Sequence, residues 1–347
     1  MIKTAALEIT DKCNLSCAHC YFYDYISTDE MDFENIVYTL KKVSAIENLN
    51  SIAISGGEPL LHSRIVDILE ICGTEFNEKN IILITNGILI NDEILNLFSL
   101  YKNITINLSL EGSSKDINDR IRGNGTYDKI IELTKKISEI DNNRLNLRMT
   151  ISKYNYKDIV NFFHLARKYN VNTNYLFIVK SGAAKLKWDE LGLSVSNKIY
   201  CYNELKKIYK EFNIGAIPPS DPGGCGEHET LCINMQGNIY LCTLFPDDFI
   251  GNIFEDTTES LEKIMNNNSL TERIDVWQKK LLESECQGCE ILNFCQQGCY
   301  GQYIINNEDN DSENQKSLLD GLCVSRKYKY LLDNLSNDQE VLKSKEN

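Results

Sequence analysis

The sequence predicts an α/β fold: a partial (β/α)6 barrel of the TIM type, followed by a small cysteine-rich domain. Three observations carry this. From residue 1 to about 180, six short apolar runs alternate with longer helical patterns. Near residue 181 that alternation stops and a Pro/Gly-rich stretch follows. Beyond it, eight of the thirteen cysteines fall between residues 225 and 323.

The expected strands are Lys3–Thr10, Ser51–Ser55, Ile81–Thr85, Ile104–Leu110, Leu145–Ile151 and Asn174–Val179, rich in β-branched and aliphatic residues as strands covered on both faces tend to be. Between them, helical periodicity marks Phe33–Ile46, Ile65–Glu75, Asp92–Phe98, Tyr127–Ile140 and Tyr156–Lys168. Strand–helix units in this order build a parallel sheet whose right-handed crossovers curve it into a full or partial barrel. Reactive side chains then belong at the C-terminal ends of the strands. This assigns residues 1–182 to the barrel. Residues 183–224 bridge, with a helix over Ser196–Phe212 and a break at Pro218, Pro219, Pro222, Gly223 and Gly224. Residues 225–333 form the cysteine-rich domain, beginning with a hairpin over Leu231–Thr243 that turns at Gly237–Asn238. The last stretch, 334–347, reads as a fraying tail. Short elements of this kind bury too little apolar surface to fold firmly alone, and bound metal supplies the missing cross-links.

Composition narrows the function. The 347 residues are 42% apolar and 25% charged, as in an ordinary globular protein. A net charge of −14 without a long basic run argues against nucleic acid or an anionic membrane surface, and favours a neutral or basic partner. No apolar run approaches the ~18 residues a membrane span requires, and the N-terminus lacks a secretory pattern. The expected location is therefore cytoplasmic, where thiols stay reduced and many cysteines point to metal or catalysis rather than disulfides.

Cys13-Asn-Leu-Ser-Cys17-Ala-His-Cys20 follows the first strand. Three thiolates this close can wrap one [4Fe–4S] cluster and leave one iron open for a substrate. On spacing alone, a zinc loop with a distant fourth ligand is an alternative. Ser55-Gly56-Gly57-Glu58-Pro59 stands at the end of the second strand and Thr85-Asn86-Gly87 at the end of the third. Asn107-Leu-Ser109-Leu-Glu111-Gly112 and Asp119-Arg-Ile-Arg122-Gly123 come next. CxxxCxxC with GGEP and TNG in this order resembles the radical S-adenosylmethionine (SAM) superfamily over residues 1 to about 182. The resemblance implies that Cys13, Cys17 and Cys20 hold the catalytic [4Fe–4S] cluster. It further implies that SAM chelates the open iron and that Gly56, Gly57, Glu58 and Pro59 form the segment binding its amino group. Asn86, Ser109 and Glu111 join the SAM site, with Glu111 standing where the family usually has Asp. His19 is expected near the adenine. Arg122 is expected at the methionine carboxylate or ribose, a surface ion pair being its plainer alternative.

The second set runs Cys225, Cys232, Gly237-x4-Cys242, then Cys286-x2-Cys289-x5-Cys295-x3-Cys299, and Cys323. Cys286-x2-Cys289 alone suits structural zinc. The whole order resembles the SPASM domain, the auxiliary-cluster extension of some radical SAM enzymes. That resemblance implies two auxiliary [4Fe–4S] clusters, one on Cys225, Cys232, Cys242 and Cys299, the other on Cys286, Cys289, Cys295 and Cys323. Cys232 is the least secure ligand: as a packed thiol only, it would leave an open iron. Cys72 and Cys201, on helical patterns without cysteine neighbours, are expected in the core.

By resemblance, the enzyme reductively cleaves SAM to a 5′-deoxyadenosyl radical that abstracts hydrogen from a peptide or protein. The leading expectation is a thioether or carbon–carbon cross-link in a ribosomally made peptide. Formylglycine formation is the second expectation, weakened by Thr243 where sulfatase maturases carry a catalytic Asp. A small-molecule or haem-pathway reaction, or a non-catalytic zinc or electron-carrier protein, are further alternatives. Ser181-Gly182-Ala183-Ala184 resembles the GRA-like segment of peptide and haem-pathway SPASM enzymes, with Ala183 in place of Arg. Expected partners are the peptide and a reducing flavodoxin or ferredoxin; since the first strand starts close to Met1, the peptide is expected to dock on the barrel itself, on the SPASM region or through a separate leader-recognition protein. The aromatic run Tyr21-Phe22-Tyr23-Asp24-Tyr25 is expected to pack as core and loop, a substrate surface being the alternative.

Overall fold

A computed structural model describes residues 2–214, 230–245, 247–257, 259–261, 263, 269–283 and 286–289. Its frame is one nine-stranded sheet in the order β6-β5-β4-β3-β2-β1-β7-β8-β9. The first six strands are β1 (Thr4–Glu8), β2 (Ser51–Ser55), β3 (Asn80–Thr85), β4 (Ile104–Ser109), β5 (Leu145–Ile151) and β6 (Asn172–Phe177). All are parallel and lie in chain order, the arrangement that right-handed helical crossovers produce. Those crossovers carry α1 (Phe33–Ser44), α2 (Ile65–Thr74), α3 (Asp92–Leu100), α4 (Lys115–Arg122), α5 (Thr126–Asp141) and α6 (Ile159–Lys168). The bridging segment forms α7 (Ala183–Leu186), α8 (Trp188–Leu191) and α9 (Val195–Glu211), and α10 (Ser269–Glu283) lies beyond it. α9 starts on a capping box in which Ser194 and Asn197 satisfy each other's backbone N–H groups.

The sheet has two unlike faces. Ala5, Leu7, Ile52, Ile54, Ile81, Leu83, Ile106, Leu108, Leu147 and Met149 face the helices, all in one buried cluster. The pairing register puts the alternate residues on the other, luminal face. There β1–β3 present Glu8, Ala53, Ile82 and Ile84, while β4 and β5 present Thr105, Asn107, Ser109, Asn146, Arg148 and Thr150. Asn146 donates to Asn107 across that face at 2.8 Å. The strands are thus not apolar on both sides: the lumen turns polar along β4 and β5.

The sheet does not stop at β1. β7 (Thr230–Ile233) pairs parallel with β1's free edge and continues through β8 (Asn238–Tyr240) and β9 (Gly251–Asn252), both antiparallel. The expected hairpin is therefore present as β7–β8, and it extends the barrel sheet. Its turn is held by the Asn234 side chain, which accepts from the N–H groups of Gln236 and Asn238, with Gly237 at φ 80°. Lys42 on α1 ties the following segment down by donating to the carbonyls of Ile253 and Asp256. Cys72 and Cys201 are fully buried, as expected of core thiols. Among the described residues, no helix is long and apolar enough to cross a membrane.

Candidate functional site

The loop after β1 carries Cys13, Cys17 and Cys20, and its two ends are stitched together. Asp11 N–H donates to the Asp29 carbonyl at 3.1 Å and Met31 N–H to the Ile9 carbonyl at 2.9 Å. Thr10 Oγ1 adds a bond to the Asp29 carbonyl. Such a closed loop loses far less entropy on binding a cofactor than an open one.

Four further segments clamp it. Gly57 N–H donates to the Thr10 carbonyl (2.8 Å) and Glu58 N–H to the Lys12 carbonyl (2.7 Å). Asn86 Nδ2 donates to Asn14 Oδ1 at 2.8 Å. Ala18 N–H reaches the Ile121 carbonyl, and Ala183 N–H the Cys20 carbonyl, both at 2.9 Å. Each clamp comes from a motif singled out in the sequence. Gly56 and Gly57 owe their lack of side chains to this contact: a Cβ would stand 2.2 Å from the Thr10 carbonyl oxygen or 2.4 Å from that of Lys12. Gly182, at φ 51°, meets the Cys20 carbonyl in the same way, at 2.3 Å. The close approach is thus of backbone to the cysteine loop. Sequence reasoning missed Asn14 and the clamping role of Gly182 and Ala183; the SGAA resemblance was the available signal.

Glu58 is buried at 1% exposure. It accepts from Thr85 Oγ1 (2.6 Å), Asn86 N–H (2.7 Å) and Leu60 N–H (3.1 Å). Its carboxylate welds the β2 turn to the β3 turn, while Pro59, also buried, opens the short 3-10 turn Pro59–Leu61. Burial pushes the Glu58 carboxyl up, against the pull of those donors and of Arg122.

Glu111 is the hub of the opposite wall. Arg122 Nη1 donates to its Oε1 at 2.8 Å and Thr150 N–H to its Oε2 at 2.7 Å. His19 Nε2 lies 2.9 Å from the same Oε1, an ion-pair distance without hydrogen-bond geometry. Burial raises the Glu111 carboxyl, but His19, Arg122 and Thr150 outweigh it and hold it below the usual carboxylate range. Asp119 accepts from the N–H groups of Gly125 and Tyr127, which fixes the turn after α4 and so the end of the helix bearing Arg122. Ser109 ends β4 in register with Arg148 of β5. Arg148, absent from the sequence expectations, is a luminal guanidinium whose pKa burial lowers against the pull of Tyr21 and Glu111. Glu8, at the end of β1, accepts a hydrogen bond from the Tyr240 hydroxyl, and burial pushes its carboxyl up to about 7.

The residues fit a cluster with an adjoining polar ligand. Burial raises the Cys13 and Cys17 thiols and lifts Cys20 to about 11, while Arg122 pulls all three down. Cys17 and Cys20 also feel the charge of their neighbouring thiols, as groups of one site do. Among the described residues, no three metal-binding side chains stand ready to hold a single metal ion. Arg122 Nε is buried without a hydrogen-bond partner, an unmet donor beside the thiols.

The second cysteine set is described in part. Cys232 is 2% exposed and lies in register with Ala6, on the luminal face, unlike its neighbours Leu231 and Ile233, which join the helix-side core. It lies close enough to Cys242 for the two to interact electrostatically. Cys286 and Cys289 follow α10 in a turn closed by Cys289 N–H to the Cys286 carbonyl, with Gly288 at φ 69°. Cys225, Cys295, Cys299 and Cys323 lie outside the described residues.

Residues 7–166 match the Radical SAM superfamily, and residues 225–290 match SPASM, an iron–sulfur cluster-binding domain. The chain is 22% identical over 315 residues to the mycofactocin maturase MftC of Mycobacterium tuberculosis, covering 84% of this chain and 76% of that protein. It is 24% identical over 326 residues to the subtilosin biosynthesis protein AlbA of Bacillus subtilis, covering 88% and 68%. Its fold superposes on anSMEcpe, solved with AdoMet and the Cp18Cys peptide, at a TM-score of 0.75, with 19% identity and coverage of 97% and 99%.

Proposed function

We propose that this chain, which belongs to the radical SAM superfamily and carries a SPASM iron–sulfur domain, is a maturase that cross-links a ribosomally made peptide. The observation that carries the reading is the closed three-cysteine loop, clamped at the lumen mouth by four motif segments. Among its relatives, MftC is named a mycofactocin maturase and AlbA a biosynthesis protein of the bacteriocin subtilosin.

Cys13, Cys17 and Cys20 would hold the catalytic [4Fe–4S] cluster. Together with bound SAM and an electron from a flavodoxin or ferredoxin, that cluster would supply a 5′-deoxyadenosyl radical for hydrogen abstraction from the substrate. The chain's own residues bind, orient and seal. The GGEP backbone offers acceptors for the SAM amino group. Arg122, with one free donor, and Ser109 with Arg148 line the wall where a carboxylate needs partners. Glu111 keeps His19 and Arg122 in place, so both act through fixed positions. The polar lumen of β4 and β5 receives the ligand while the β1–β3 side stays largely apolar and excludes water. In the SPASM half, Cys225, Cys232, Cys242 and Cys299 would hold one auxiliary cluster, and Cys286, Cys289, Cys295 and Cys323 another. The luminal position of Cys232 supports its inclusion. Thr243, where sulfatase maturases carry an acid, speaks against formylglycine formation.

The test is mass spectrometry of the nearest small encoded peptide after anaerobic incubation with cluster-reconstituted enzyme, SAM and reductant. Loss of a hydrogen pair that disappears in Cys13→Ala supports the reading. SAM cleavage with an unchanged peptide, in deuterated water as well, counts against it.

A further inference from the structure

We propose that the cleft between the cysteine loop and the β7–β8 hairpin receives a positively charged side chain, lysine or arginine, of the peptide substrate. This rests on the peptide-maturase reading and adds the chemistry of the residue selected.

The cleft is lined by three carboxylates, Glu8, Asp11 and Asp247, and by aromatic rings that include Tyr21, Tyr25 and Phe249. No lysine or arginine is among its described lining residues. The carboxylates are not spent on neighbouring cations. Lys12, beside Asp11, turns to Glu30 at 2.8 Å, and Arg273 pairs with Asp248 rather than Asp247. Glu8 is only 6% exposed, yet just one of its oxygens, the acceptor of the Tyr240 hydroxyl, has a hydrogen-bond partner among the described residues. Its second oxygen is left for whatever enters.

The shape of the chemistry fits a long basic side chain better than a compact cation. Glu8 is the buried floor and Asp247 the exposed rim, where it accepts from the Tyr25 hydroxyl at 2.9 Å. Phe249, at 44% exposure, is an open ring surface at the mouth, while Tyr21 is exposed in part and turns its hydroxyl inward, toward Glu8 and Arg148. An aliphatic stem can lie along such rings while its charge meets their faces and the carboxylates. The aromatic run after Cys20 is thereby divided: Phe22 is buried packing, whereas Tyr21 and Tyr23 remain exposed.

The place is as telling as the lining. Tyr21 and Tyr25 closely follow Cys20, and the hairpin residues of the cleft lie between Cys232 and Cys242. A side chain held there anchors the peptide between the two cysteine sets, with its neighbours in sequence over the lumen. The chain's net charge of −14 favours the approach of a basic peptide to the protein as a whole.

The test uses cluster-loaded full-length protein with SAM and no reductant. Fluorescence anisotropy compares four labelled Gly/Ser octapeptides that differ only in a central Lys, Arg, norleucine or Glu. Lys and Arg peptides should bind about tenfold tighter than norleucine. Glu8→Gln, which keeps an acceptor for Tyr240, and Asp247→Asn, at an exposed site, should each shrink that ratio, and the double variant should abolish it. Asp247→Lys should favour the Glu peptide. Equal behaviour of the four peptides, bound or unbound, or a preference that survives in the double variant, overturns the proposal. Peptide oxidation without the preference leaves the maturase reading standing and removes this one. The preference without any peptide oxidation under reductant does the reverse.

Discussion

Three glycine-to-alanine substitutions separate backbone strain from the clamp on the cysteine loop. Gly125 has φ 83° and nothing within 4 Å of the place an added methyl would take, so Gly125→Ala incurs strain alone, about 1–2 kcal/mol for a left-handed L-residue. Gly57 has no positive φ, but its Cβ would lie 2.4 Å from the Lys12 carbonyl oxygen and 2.9 Å from that of Asp11. Gly56 combines both problems, with φ 131° and a contact of 2.2 Å to the Thr10 carbonyl oxygen. Contacts under 3.0 Å do not persist, so the loop must retreat by roughly 0.8 Å at Thr10. That stretches the 2.8 Å bond from Gly57 N–H. A weakened hydrogen bond with an unmet buried partner adds about 1–3 kcal/mol. The expected losses are therefore about 1–2 kcal/mol for Gly125→Ala, about 1–3 for Gly57→Ala and about 2–5 for Gly56→Ala. Urea denaturation reads the stability. Iron content after anaerobic reconstitution reads the loop, and here the order changes: Gly57→Ala and Gly56→Ala should each lose one cluster's iron, while Gly125→Ala keeps it. If Gly57→Ala retains full iron and cleaves SAM normally, the glycines do not position the cysteine loop and the clamp is wrong.

Two further perturbations test the walls of the lumen. Glu111→Ala strands a buried guanidinium and a histidine, so it should cost about 3–5 kcal/mol in urea denaturation and raise the KM for SAM; a loss below about 1 kcal/mol would remove Glu111 as the hub. Glu8 has a folded pKa of about 7 against 4.5, raised by burial, with Tyr240 opposing and Asp11 adding. Because the fold binds that proton more tightly, the stability it contributes is complete below pH 4.5 and disappears as pH rises through about 7. Relative to Glu8→Gln, the natural chain should thus lose about 3 kcal/mol between about pH 4.5 and 8, and parallel stability–pH curves would contradict this.

What was legible in the sequence follows from where local signals are strong. β2 and β5 match their expected bounds residue for residue, because both are short apolar or alternating runs between helices. β6 begins at Asn172 and ends at Phe177, two residues earlier than expected at each end. It is an edge strand of the sheet, and its opening Asn-Thr-Asn is too polar to announce a strand. α4 went unseen because Lys115–Arg122 offers only Ile117 and Ile121 as an apolar stripe; Asp119 and Asn118 hold it by hydrogen bonds instead. The motif residues were found, but their contacts were not readable. That Glu58 faces Thr85 and Asn86, and that Gly56 faces Thr10, depends on which strands are neighbours. Arg148 was overlooked because one arginine in a strand run carries no motif.

The pairing of β7 with β1 was beyond any local signal, and it changes what the two cysteine sets can do. β1 runs directly into the loop that holds Cys13, and its free edge carries Cys232 in register with Ala6. The hairpin then returns Tyr240 to Glu8, at the C-terminal end of the same strand. A parallel ladder fixes its partners to within a fraction of a residue, since a one-residue slip would turn Leu231 and Ile233 out of the core and Cys232 into it. The separation of Cys232 from the Cys13 loop is therefore set by sheet register, not by the length or stiffness of the connecting chain. A mouth of fixed width follows, bounded by the cysteine loop on one side and the hairpin on the other. With the width fixed, any selection among the peptides of the proposed reaction would fall to the side chains that line the mouth, the carboxylates and rings of that cleft among them.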